Sequence, residues 1–183
     1  MNERNYALFG LLGPSTAIIF VLIAIIFSPW FSWWNNALSD LGHSVHSEAA
    51  AWFNFGLLLS GFFMILYPSM IFRRHAKYTS YFLVVVGVSL QMIATFDEVY
   101  GSLHFLVSVL FFAALGFAST SYAVEKKSVI ALVALIVGSA SWILYGAKIV
   151  DIGIAVPEAI SSIATFTWIM LSALGIQFAK ITV

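Results

Sequence analysis

The sequence predicts an all-α integral membrane protein, a bundle of six transmembrane helices with both termini cytoplasmic, and three observations carry that prediction. Six long apolar runs divide the chain; 62% of its 183 residues are hydrophobic and only 9% charged; and its few cations gather at alternate ends of the runs. A soluble domain carries about 25% charged residues, so a chain of this composition needs lipid as its solvent.

The runs cover residues 6–29, 51–72, 79–96, 104–124, 128–149 and 157–179. Each is close to the ~20 residues that an α-helix needs to cross ~30 Å of hydrocarbon. Threaded alternately, they bring Arg4, Arg73, Arg74, Lys77, Lys126, Lys127 and Lys180 to one side and leave Lys148 alone on the other. Positive flanks stay cytoplasmic, which places both termini inside. Asp40, Glu48, Asp97, Glu98, Asp151 and Glu158 then face outward, six of the eight acidic residues.

Taken in order, the first run exceeds the 7–15-residue core of a signal peptide and lacks a small-x-small cleavage site before Trp30, so it reads as a retained helix. The outer loop, residues 30–50, is flanked by Trp30, Phe31, Trp33, Trp34, Trp52 and Phe53, amphipathic rings suited to the headgroup level. Gly56, Ser60 and Gly61 in the second run, Ala114 and Ala118 in the fourth, Gly138 and Ser141 in the fifth, and Ser161 and Thr165 in the sixth allow helices to approach closely. Tyr78 and Tyr81 anchor the inner end of the third run. Pro14 and Pro68 interrupt helical hydrogen bonding within their runs, whereas Pro157 suits the first turn of the last helix, with Glu158 favourable against its positive end. Short connections make successive helices antiparallel neighbours. The whole chain, 1–183, reads as one domain.

Function classes narrow accordingly. Zero net charge split between two faces offers no basic patch for nucleic acid, and the absence of cysteine removes disulfides, thiol catalysis and Cys-ligated metals. No carboxylate lies at mid-depth, where a proton-coupled carrier places an ionisable group. Three of the four histidines and most carboxylates fall instead at the outer ends of the helices. Asp40, His43 and His46 recur every third residue, and Asp97, Gly101 and His104 share a face if the fourth helix begins near Asp97.

His and carboxylate groups converging from two connections suit a divalent cation such as zinc, with Asp40, His43, His46, Asp97 and His104 as the candidate ligands. The same residues without metal would form an acid–base site in which Asp40, Asp97 and His104 are catalytic. In the structural alternative they cap helices and form hydrogen bonds. The spacing matches no strong metal motif. Lys148 is either the partner of Asp151, one turn on, or a cation that holds an anionic ligand. Asn54 and Gln91 either bridge helices or line a path from the outer site. A haem held by His43 or His46 with His104 is a further reading, which needs imidazoles at similar depth.

The run Asn36-Ala37-Leu38-Ser39-Asp40-Leu41-Gly42 is followed by Trp52-Phe53-Asn54-Phe55-Gly56-Leu57, Gly61, the pair Arg73-Arg74, and Phe96-Asp97 with Gly101-Ser102-Leu103-His104. This series resembles an uncharacterised prokaryotic membrane family catalogued as domain of unknown function 998. The resemblance covers about the first two-thirds of the chain. It implies a small polytopic protein of the prokaryotic plasma membrane, characterised by its Ser-Asp-Leu-Gly loop and its Asp/His pair, and brings no established activity.

The expected function is a metal-binding or acid–base site acting on a lipid or small ligand at the outer leaflet. A small transporter or channel with the cluster as its outer vestibule, and a non-catalytic scaffold, are the alternatives. The expected partners are membrane lipids, a small-molecule or lipid ligand, and further copies of the chain in a homo-oligomer.

Overall fold

Residues 3–178 are described by a computed structural model, so Lys180 and the last residue of the sixth apolar run lie outside them. Among the described residues the protein is all-helical, and six helices are long and apolar enough to cross a membrane. A short helix α1, Glu3–Ala7, leads into α2, Phe9–Ile26. Then come α3 (Ala50–Met70), α4 (Lys77–Thr95), α5 (Ser102–Lys126), α6 (Val129–Gly146) and α7 (Ala155–Phe178).

The helices do not stop where apolarity stops. α5 runs on through Glu125 and Lys126 to a left-handed Lys127, where φ is 51°. α6 ends at Gly146, three residues short of its apolar run, because Lys148 also turns left-handed, with φ 53°. Pro68 falls in the last turn of α3 and Pro14 inside α2.

α3 packs between α2 and α4, α5 follows α4, and α7 closes the ring between α2 and α5, leaving α6 against α5 and α7. Small residues make the closest crossings. A Cβ on Gly61 would sit 2.6 Å from the Gly87 carbonyl oxygen, and one on Gly87 2.8 Å from that of Gly61. Only glycine at both places lets the α3 and α4 backbones meet. Ser60 Oγ donates to the Gly13 carbonyl at 2.7 Å and ties α3 to α2. Ser141 and Ala131, Ala134 and Gly138 are the buried residues of α6, whose remaining surface is apolar and exposed, as a helix on the rim of a bundle in lipid would be.

The two ends of the bundle differ. One end carries the connection 27–49, the turn Glu98–Tyr100 and the residues between α6 and α7; it is called the loop end below. The other end carries Arg73, Arg74, Lys77, Lys126 and Lys127 and is called the basic end.

Candidate functional site

The loop end is a built structure. Residues 30–50 contain a single 3-10 turn, Ser39–Gly42, and a chain segment without regular structure must find other partners for its backbone N–H groups. Carboxylates supply them. Asp40 Oδ2 accepts from the Ala37 N–H at 3.0 Å and from Asn36 Nδ2 at 2.9 Å, closing the turn on itself. Glu158 Oε2, from the first turn of α7, accepts from the Leu38 N–H at 2.7 Å. Asp97 accepts from the Ser44 N–H at 3.2 Å with one oxygen and from the Val99 N–H at 3.0 Å with the other. Ser39 Oγ donates to Glu98 Oε1.

The Ser-Asp-Leu-Gly segment and its flanks are therefore clamped between α3, the connection from α4 to α5, and α7. Leu41 is fully buried. A Cβ on Gly42 would sit 2.6 Å from both Asn54 Oδ1 and the Phe53 ring, and the Gly42 carbonyl accepts from Asn54 Nδ2 at 2.8 Å. Gly42 is thus the point where the loop backbone rests on α3.

Beneath this clamp lies His104, 5% exposed. Its Nδ1 is 2.8 Å from the Phe96 carbonyl oxygen. A carbonyl only accepts, so Nδ1 carries a hydrogen. Nε2 faces Glu98 Oε1 at 3.2 Å and Ser108 Oγ at 3.3 Å. An unprotonated Nε2 and a carboxylate would both be acceptors, so the close pair holds a proton between them. The hydrogen bond from His104 above all, and that from Ser39, hold the Glu98 carboxyl below its ordinary value against the opposing effect of burial.

An apolar cavity of about 150 Å³ opens next to this network, the size of an engineered apolar cavity that stays dry and takes benzene. Ile18, Leu57, Ile93 and Phe166 are among its walls, which come from α2, α3, α4, α5 and α7. Ser39, Ser108, Ser162 and Glu158 are the polar residues that line it. Glu158 is 7% exposed, and its Oε1 takes no hydrogen bond from the described residues. A carboxyl so buried keeps its charge only with donors or a cation beside it, and the Leu38 N–H is the donor this structure supplies.

The residues singled out in the sequence fall into two groups. Asp40, Asp97 and His104 are in or beside the clamp. His43 and His46 meet each other at a tilt of 38° with ring centroids 4.3 Å apart, His43 half-buried and His46 exposed, and no cluster of three or more His, Asp or Glu among the described residues is arranged to hold a metal ion. The expected metal set of Asp40, His43, His46, Asp97 and His104 is therefore not assembled: Asp97 spends both oxygens on backbone N–H groups, Asp40 Oδ2 is held by the Ala37 N–H and the Asn36 amide, and His104 spends Nδ1 on a carbonyl. Asn54 and Gln91 are bridging groups, Gln91 Nε2 donating to the Leu58 carbonyl at 3.2 Å. Lys148 is exposed and forms no ion pair with Asp151 or any other described residue. Glu98, Glu158, Ser39 and Ser108 carry more of the site than the sequence suggested. The available signal was Glu158 itself, an acid one residue after Pro157 at the start of an apolar helix.

No curated protein and no solved structure matches the chain. A family described as protein of unknown function (DUF998) matches residues 11–175, a span that takes in the clamped loop, the His104 network and the cavity walls. The chain belongs to that family.

Proposed function

We propose that the protein is an integral membrane protein whose loop end faces the exterior, with both termini in the cytoplasm, and that this end binds an amphiphile drawn from the outer leaflet. The apolar chain of the ligand occupies the cavity. Its head group, neutral or cationic, meets Glu158 Oε1 and the Ser39–Glu98–His104–Ser108 network. The carrying observation is the cavity itself, apolar along its length and lined at its polar residues by hydroxyls and a buried carboxylate, with no cation. Small-ligand sites have this composition: predominantly apolar walls and a few placed polar groups.

The proton between His104 and Glu98 supports acid–base exchange with the head group. Ser39 points its hydrogen at Glu98 and not at an imidazole, which disfavours a serine nucleophile there. The positive flanks at the basic end support the orientation.

The test uses the full chain in lipid nanodiscs with two pyrene-labelled probes of equal length, a long-chain alkylamine and a long-chain carboxylate. Leu22 and Ile163 line the cavity and are half exposed, at 52% and 53%, so tryptophan at either place narrows the mouth without disturbing the core. The amine should bind saturably and the carboxylate at least about tenfold more weakly, a difference of ~1.4 kcal/mol. Leu22→Trp and Ile163→Trp should abolish saturable binding of the amine, and Glu158→Gln should remove the preference for it. Equal, non-saturable partitioning of both probes in all four proteins would overturn the proposal.

A further inference from the structure

We propose a second ligand site, at the basic end, for a phosphate-bearing group. A cavity of about 350 Å³ lies there between α5, α6 and α7 and the turn from α3 to α4, within the usual range of ligand pockets. It is distinct from the cavity at the loop end, with which it shares no lining residue. Its floor is a rigid aromatic stack. Tyr122 lies on Trp168 with centroids 4.6 Å apart and planes 15° apart, and Phe72 packs on Tyr122 at 5.5 Å. Trp168 is held in place by its own N–H, which donates to Ser119 Oγ at 3.0 Å.

Three features give this cavity a preference for anions. Lys126 lines it and makes no ion pair with any described residue. The neighbouring carboxylate, Glu125, is already committed to the start of α4, where it accepts from the Tyr78 and Thr79 N–H groups at 3.2 and 3.0 Å and from Thr79 Oγ1 at 2.8 Å. The Tyr122 hydroxyl, on the cavity floor, has no hydrogen-bond partner among the described residues, although its ring is fixed on both faces. Ser128 adds a hydroxyl to the wall. A phenolic donor, an ammonium with no ion pair among the described residues and an aromatic floor suit a tetrahedral anion carried on an apolar or glycerol stem.

A phospholipid headgroup and a free phosphate share this chemistry. The purified full chain in neutral detergent is titrated with a fluorescent phosphatidylglycerol, with the matching phosphatidylcholine, and with inorganic phosphate as competitor. Lys126→Gln and Tyr122→Phe should each weaken phosphatidylglycerol about tenfold, the loss of one charge-assisted or one phenolic hydrogen bond. Arg73→Gln removes a cation of the same end that does not line the cavity, and should change binding less than twofold. Tyr122→Phe keeps the stack on Trp168, so the loss it causes is not one of folding. Competition by millimolar phosphate identifies a free anion as the ligand, and its failure identifies a lipid headgroup; either supports the site. Equal losses in Lys126→Gln and Arg73→Gln would reduce the effect to surface charge and overturn it. So would unchanged binding in Tyr122→Phe and Lys126→Gln together.

Discussion

At the scale of the residue, the chemistry of the loop end depends on which acids are committed to structure and which are not. Asp40 and Asp97 hold backbone N–H groups and so behave as fixed parts of the loop. Glu98 differs, because its partners are the His104 imidazole and the Ser39 hydroxyl. Its carboxyl is held below the ordinary value of 4.5 by those hydrogen bonds. A depressed folded-state value means that the contribution to stability is complete above the ordinary value and is lost as pH falls through the folded one. Thermal unfolding followed by circular dichroism should therefore show stability falling below about pH 4.5, and Glu98→Gln should flatten that limb while costing ~1–3 kcal/mol at neutral pH. An unaltered acid limb in Glu98→Gln would assign the effect to other groups. Sequence reasoning found His104 and Asp97 because histidine and aspartate are rare in an apolar chain, although the helical face expected to join them is not formed, since α5 begins at Ser102 and Asp97 precedes the 3-10 turn before it. It ranked Glu98 and Glu158 below them, because what makes those two special is a contact with residues 38 and 39, which no local spacing encodes.

At the scale of the element, helices were legible and their crossings partly so. Long apolar runs specify membrane-type helices by length alone, and the glycines of α3 marked a close approach before its partner, Gly87 in α4, was known. The loop was not legible. Its hydrogen bonds to Asp97, Glu98 and Glu158 span 53 to 120 residues of sequence, and periodicity reports only neighbours within a turn or two. Two glycines separate packing from propensity. A methyl on Gly42 meets Asn54 and Phe53 at 2.6 Å, whereas one on Gly116 in α5 meets nothing within 4 Å. Gly42→Ala should cost ~1–3 kcal/mol through overpacking, and Gly116→Ala should be neutral or stabilise by up to ~1 kcal/mol through helix propensity. Equal melting temperatures for the two variants would show that the loop does not rest on α3 as described.

At the scale of the whole molecule, two cavities of opposite character lie at opposite ends of one bundle. The loop-end cavity is lined by a carboxylate and hydroxyls, the basic-end cavity by an ammonium and an aromatic floor. Their sidedness follows from the orientation proposed above, and the absence of cysteine makes that orientation easy to test. Single cysteines in place of the exposed Ser44 and Lys77 should behave oppositely toward an impermeant maleimide on intact cells, with only the first labelled. Labelling of the second alone would exchange the two environments.

The clamped loop also dictates an order of assembly. Leu38 leaves the ribosome 120 residues before Glu158, the acid that receives its N–H, which at typical synthesis rates is a wait of roughly 6–24 s. Throughout that interval the loop can find Asn54, Asp97 and Glu98, but the Leu38 N–H has no acid to receive it until the last helix arrives. Full closure of the roof is thus a late event, and a nascent chain cut short of α7 would lack both the wall that this helix supplies and the acid that secures the loop over it.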